Sequence, residues 1–268
     1  MHNFEKTKNR NPQAEAWAYE PASEQQRREI IADKVEQICE REKLSPDVGK
    51  IAVESCVNAI GKTTDVLQLI DHLAPDVAWL DRKVNADIPK QVLDKSYLLI
   101  GPMGTGKSTI ARNLAEQTNM PKVSLDSRAD LPNEWQYAER RHLGTESRDA
   151  YITVSALTAL KEPTIVDFGA GDSVYDDPLI KHEMDTLISR FKNVVLILPD
   201  SDRSASLAYL NGRVRNREPS RRGFESDNGR FVYAPNNQEL ATRTVYTNFG
   251  DKPPEEMARE IASLDAVE

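Results

Sequence analysis

Hydrophobic and polar positions along this chain change their period once, near residue 93. Before it, apolar residues recur three and four apart. Ile30, Ile31, Val35, Ile38 and Cys39 make one stripe, and Val48, Ile51, Ala52, Val53, Cys56, Val57 and Ile60 a second. Val66, Leu67, Leu69, Ile70 and Leu73 make a third. That spacing predicts three amphipathic helices. The first starts at Ser23, an N-cap whose capping box closes with Gln26. The second begins at the cap-and-proline pair Ser45-Pro46 and ends at Gly61. The third covers about residues 64–73, and Pro75 and Pro89 punctuate the stretch after it. Residues 23–92 therefore read as a small helical region, either a separate domain or a bundle packed on the rest. Residues 1–22, polar and carrying Pro12 and Pro21, read as a flexible arm.

From residue 96 short continuous apolar runs alternate with helical patterns. The runs 96–100, 122–125, 164–167, 193–198 and 243–247 are candidate strands. Helices are expected at 107–118, about 146–161, 178–191, 202–214 and 254–264. Uninterrupted apolar strands separated by helices predict an α/β fold with a parallel sheet covered on both faces. Ligands of such sheets bind at the carboxyl ends of the strands.

The first of those ends carries the strongest chemical signal. Tyr97-Leu98-Leu99-Ile100 runs into Gly101-Pro102-Met103-Gly104-Thr105-Gly106-Lys107-Ser108-Thr109. This is a phosphate-binding loop between a strand and a helix. Its glycines permit a tight, partly left-handed backbone whose N–H groups, with the positive end of the adjoining helix, cradle a polyphosphate. Lys107 supplies a point charge for the terminal phosphates, and the Ser108 hydroxyl can ligate Mg²⁺. ATP or GTP with Mg²⁺ is the expected ligand. Ile60-Gly61-Lys62-Thr63-Thr64 imitates the motif, but Cys56 stands where its first glycine belongs and no strand precedes it. A helix end accounts for it better.

The other strand ends supply candidates for the rest of a site. Asp126, after the second strand, can orient a substrate hydroxyl and accept its proton, or simply form a turn. Asp167, ending the third strand, is placed to hold Mg²⁺ directly or through water, the reading favoured over a turn aspartate. Gly169, Ala170 and Gly171 allow backbone to approach a ligand closely. Arg148, near a helix start where a cation is unfavourable, suits an anionic or polyhydroxy substrate, or is merely solvated. Arg213, Arg215, Arg217, Arg221 and Arg222 crowd one stretch. They suggest a lid over about 212–232 that donates arginines, Arg213 toward nucleotide and Arg217 toward the transferring group. A solvated basic loop is the alternative.

Composition narrows the class. The 268 residues suffice for one or two domains, and the net charge of −8 argues against a generic nucleic-acid binder. There is no apolar run long enough to span a bilayer, and the first ten residues lack a signal peptide's apolar stretch. Cys39 and Cys56 fall at apolar helical positions and read as buried thiols. The expectation is a cytoplasmic protein, with export by a specialised secretion system left open.

Residues 97–126 resemble the opening of shikimate kinases, small phosphate-loop kinases related to the nucleoside monophosphate kinases. The run Leu98 to Ala115, continued by Asn119-Met120 and Asp126, carries the likeness. The resemblance implies a five-stranded parallel sheet of order 2-3-1-4-5 and an arginine-bearing lid. It also implies substrate hydroxyls on Asp126 and a substrate carboxylate on Arg148, which stands at the family's distance before Gly169-Ala170-Gly171. Departures are plain. Ser124 replaces the family's Mg²⁺-associated aspartate, with Asp167 able to substitute as in nucleotide kinases. Ala170 interrupts the glycine triplet. Ala234 stands where a second carboxylate-binding arginine is expected, with Arg230 and then Arg243 the nearest substitutes. The helical region has no counterpart in the stand-alone enzymes.

The leading expectation is a Mg·ATP-dependent kinase for a small-molecule hydroxyl, with shikimate itself disfavoured. One rival is a toxin- or effector-like kinase of a nucleoside or sugar nucleotide. Another is a nucleotide-dependent regulatory protein using residues 1–92 to capture a protein partner or a second copy.

Overall fold

The computed structural model describes residues 24–58, 63–140, 143–220 and 222–263. The arm, the cap at Ser23, the helix end at Gly61 and most of the imitation motif lie outside these residues. Three helices open the chain: α1 (Glu24–Glu42), α2 (Pro46–Asn58) and α3 (Thr63–Val84), with the short α4 (Lys90–Lys95) after them. The α/β part runs β1 (Tyr97–Ile100), α5 (Lys107–Thr118), β2 (Lys122–Ser124), α6 (Pro132–Arg140) and α7 (Thr145–Thr158). It continues through β3 (Ile165–Asp167), α8 (Pro178–Ile188), β4 (Asn193–Leu198) and α9 (Arg203–Arg217). Then come α10 (Phe224–Tyr233), α11 (Pro235–Leu240), β5 (Arg243–Tyr246), a 3₁₀ turn at Asn248–Gly250 and α12 (Pro254–Ser263).

All strand pairings are parallel, and the order is β2-β3-β1-β4-β5. Strand side chains alternate between two buried layers. Leu98, Ile100, Val166, Val194 and Leu196 join Ile152, Leu157, Met184 and Leu187 on one face. Tyr97, Leu99, Ile165, Val195 and Ile197 join Ile110, Leu114, Met257 and Ile261 on the other. Burial on both faces explains why the strands read as unbroken apolar runs.

The helical region has its own core, in which Ile31, Val35, Val48, Ala52, Cys56, Ile70, Ala74 and Val77 meet Leu179 of α8. α3 does not stop before Pro75, as the pattern suggests, but continues through it to Val84. Burial of Ala74, Val77 and Ala78 around the proline, each at most 2% exposed, offsets the hydrogen bond the proline removes. Farther along, Leu80 and Val84 enter the main core. Arg190 then donates to the backbone carbonyls of Val84 and, at 3.0 Å, Ala86, satisfying acceptors past the helix end.

Glu183 of α8 is 2% exposed, and its Oε1 has no hydrogen-bond partner among the described residues. Burial, with a smaller push from Asp81 of α3, raises its pKa from 4.5 to about 8. The folded protein therefore keeps this proton where the unfolded chain releases it. Stability contributed by the site is full below the unfolded value, declines as pH rises between the two values, and is flat above about 8. Glu183→Gln is expected to gain ~2–4 kcal/mol over the wild type between pH 5 and pH 9, read as the change in urea-unfolding free energy. Equal pH slopes for the two proteins would refute the assignment.

Candidate active site

β1 delivers the chain into the phosphate loop between two neighbouring strands. Gly101 has φ 135°, and a Cβ there would lie 2.5 Å from the Ile197 carbonyl oxygen of β4, so only glycine fits. Gly104 and Gly106 also have positive φ, 84° and 94°. Gly106 caps α5 in the left-handed region with no side chain bonded to the helix start. Without a side-chain cap, the first N–H groups of α5 offer donors to an anion. Lys107 opens that helix, is 7% exposed, and donates from Nζ to the carbonyls of Gly101 (2.7 Å) and Pro102 (3.0 Å). Burial lowers its pKa, while Asp167, Asp126 and Asp172 pull it back.

Asp167 ends β3, level with Leu99 on one side and Ser124 on the other. It is 2% exposed. Burial raises its pKa, against the nearby Ser108 and Ser124 hydroxyls and the charges of Lys107 and Lys122. The Ser124 hydroxyl donates to Oδ2 at 3.3 Å, whereas the buried Oδ1 has no partner among the described residues. A hydroxyl and a carboxylate with one unsatisfied oxygen, beside a phosphate cradle, are the hard oxygen donors that suit Mg²⁺. The position expected for a metal-associated aspartate, Ser124, thus serves instead as a donor to Asp167.

A second cluster of charged side chains is built around Gly169. Its N–H donates to Asp172 Oδ2 at 2.7 Å, and a Cβ at Gly169 would lie 2.7 Å from that oxygen and collide with Asp126 Oδ1. Asp126 and Asp172 therefore converge on one backbone position, Asp126 exposed and Asp172 buried. Burial and the charges of Asp126 and Asp149 push Asp172 well above the usual carboxylate range. The Tyr175 hydroxyl donates to the Asp172 carbonyl at 2.9 Å. Arg148, in the first turn of α7, pairs with Asp149 Oδ1 through Nε (2.9 Å) and Nη2 (2.8 Å) and lies 5.5 Å from the Trp135 ring centre. That pair resolves the conflict with the helix dipole. Gly171 faces Asp149, whose Oδ2 would be 3.8 Å from a Cβ there. Ala170 packs with Val174, Phe231, Ala234 and Met103.

The expected lid loop is largely helical. α9 runs unbroken through Gly212 to Arg217, capped by Asp202, whose side chain accepts from Ser204 and Ala205 N–H. Its arginines are good helix formers, which outweighs the single glycine. After a short connection Gly223, in the left-handed region, starts α10. Arg213 donates to the Tyr209 hydroxyl at 3.3 Å, beside Gly250. Tyr209 meets Phe249 edge to face, with ring centres 5.5 Å apart. Arg217, expected at the transferring group, instead pairs with its neighbour Glu218 at 2.6 Å, both partners substantially exposed. Arg230 bonds Glu146, Asp176 and the Val174 carbonyl.

The structure thus draws Lys107, Ser108, Asp167, Asp126 and Gly169 together, with Arg148 alongside through Asp149, and leaves Arg217 apart. It adds residues that pattern reading passed over. Asp149 and Asp172 stand beside residues already singled out, yet nothing local marks them. Asn228 of α10 is fully buried and its Oδ1 accepts the Met103 N–H at 3.1 Å, fastening α10 to the phosphate loop. A polar segment gives no sign of such a long-range bond.

Comparisons with known proteins each match part of this chain. The family model of the ATPase family associated with various cellular activities (AAA) matches residues 97–158. The ATP-dependent protease ATPase subunit HslU of Caulobacter vibrioides is 43% identical over 49 residues, that of Nitrobacter hamburgensis 37%. Each stretch covers 18% of this chain and 11% of the relative. The chain thus spans only about a tenth of the length of these relatives. Among solved structures, shikimate kinase from Acinetobacter baumannii in complex with shikimate is 18% identical. The match covers 66% of this chain and 97% of that one, with a TM-score of 0.47. A gluconokinase from Sinorhizobium meliloti 1021 is 19% identical over 65% of this chain and 94% of that one, with a TM-score of 0.40. Neither likeness bears on the acceptor.

Proposed function

We propose that this protein is a Mg·ATP-dependent phosphotransferase that phosphorylates a hydroxyl group of a small molecule. One observation carries the reading. Across the strand ends from the phosphate loop, Asp126 projects beside Gly169, close enough to act electrostatically on Lys107. A phosphate cradle alone suits any nucleotide-binding protein; an exposed carboxylate facing it supplies what a hydroxyl acceptor needs.

The loop N–H groups and Lys107 bind the phosphates. Ser108 and Asp167 would hold Mg²⁺, which would supply charge neutralisation for the phosphates. Asp126 orients the acceptor hydroxyl and takes its proton at a carboxylate oxygen. Gly169 leaves the space in which that carboxylate sits. Leu210 and Val214 of α9 lie against Gly104 of the loop, and the same helix carries Arg213 and Tyr209, beside Phe249, toward which a nucleoside can lie. Positioning and fixed charge do the work, as phosphoryl transfer requires little covalent help from protein.

A second reading draws on the AAA match: nucleotide hydrolysis driving a regulatory change, with no acceptor. Asp126→Asn separates the two. With Mg·ATP and a panel of sugars, polyols, nucleosides and shikimate, the variant is expected to transfer phosphate about 10²-fold more slowly, while its nucleotide affinity stays within about twofold. No phosphorylated product from any member, with ATP hydrolysis unchanged in the variant, would favour the regulatory reading.

A further inference from the structure

We propose that the acceptor is a neutral or cationic polyhydroxy molecule, not a carboxylate or a phosphate ester. This deepens the kinase reading and rests on it. Among the described residues Arg148 and Arg230 lie on the acceptor side of the cleft and both are already engaged, as is Arg128, which pairs with Glu139 at 2.8 Å and lies 5.1 Å from the Trp135 ring centre. Arg148 directs Nε and Nη2 at the same oxygen of Asp149, whose side chain is only 18% exposed. Arg230 shares its Nη2 among Glu146 (3.2 Å), Asp176 (2.9 Å) and the Val174 carbonyl (3.2 Å). No third cation replaces them at residue 234, where Ala234 is buried against Phe231 and Val174.

Around these cations stand the carboxylates Asp126, Asp149, Glu146 and Asp176, with Asp172 pushed by burial toward its neutral form. Asp126 and Asp172 converge on Gly169, where no Cβ intervenes. Asp172, 7% exposed, also feels the charges of both Asp126 and Asp149. An anionic acceptor would have to share Arg148 with Asp149 and bring its own charge beside Asp126 and Asp149, an unfavourable placement. Hydroxyl groups fit without it, because carboxylates only accept hydrogen bonds and polyols offer several donors. An ammonium group adds Coulomb attraction to the same oxygens.

The test uses the full chain with Mg·ATP and two matched sets: glucose, glucosamine and glucuronate; glycerol, serinol and glycerate. Binding is read by titration calorimetry with a non-hydrolysable ATP analogue, and transfer by the phosphorylated product. Within a set, the neutral and amino members are expected to bind at least about tenfold more tightly than the carboxylate. Asp149→Asn, which releases Arg148, is expected to shrink that gap by about tenfold. A carboxylate that matches or exceeds its neutral partner overturns the proposal, as does failure of every member to bind. Selective binding without phosphorylated product would remove the kinase reading and leave the charge preference standing.

Discussion

Lys107→Ala is expected to lower kcat/KM for Mg·ATP by about 10³- to 10⁴-fold while the protein stays folded. The residue stands at the first position of α5, 7% exposed, with its ammonium bound to the Gly101 and Pro102 carbonyls inside the phosphate loop. Its charge is the nearest counterweight to Asp167, Asp126 and Asp172. Removing it takes a cation from the place where phosphate charge accumulates, and no described side chain replaces it there. The fold tolerates the change because burial already disfavours the charged form, so little native stabilisation is lost. Steady-state ADP release and the melting temperature, measured together, decide the matter. Turnover within tenfold of wild type would show that the loop does not carry the reaction.

Gly169→Ala is expected to reduce acceptor phosphorylation by about 10³-fold and leave nucleotide binding nearly unchanged. The added methyl would overlap Asp126 Oδ1 and come within 2.7 Å of Asp172 Oδ2. Asp172 is buried and fastened to the Gly169 N–H, so it has nowhere to go. Asp126 is exposed and gives way, which moves the hydroxyl-orienting carboxylate out of place; an error of about 1 Å there costs about 10²-fold on its own. The phosphate loop does not touch this methyl, so Kd for ATP reports on folding while product formation reports on the acceptor. Full product formation by this variant would place the acceptor elsewhere.

Much of this arrangement is legible in the chain itself, and the boundary of legibility is physical. Each strand is a short apolar run because both faces of the sheet are covered, so Leu98 and Leu99 read alike although they enter different layers. The loop at 101–109 is legible because its backbone geometry demands glycines at fixed intervals. Helices with one buried stripe, such as α5, declare themselves; α10 does not, since its buried positions include Asn228, a polar residue matched by a loop more than a hundred positions away. The same limit hid the true setting of the arginines. Arg148 and Arg217 look equivalent in composition, yet one stands over Trp135 against Asp149 beside the cleft and the other pairs with Glu218 at a helix end. Pro75 misleads because the proline rule is local, whereas the burial that carries α3 past it is tertiary.

α3 itself has a mechanical consequence. Its 22 residues form a rod about 33 Å long, seated at Ala74 and Val77 in the helical bundle and at Leu80 and Val84 in the core under the sheet. Between the two seats, Trp79 leans on Tyr151 of α7, ring centres 4.6 Å apart, and α7 is the helix that carries Arg148 and Asp149. Bundle and α7 are thus joined through packed side chains, and a tilt of α3 is expected to be felt at α7 as a displacement of the Arg148–Asp149 pair.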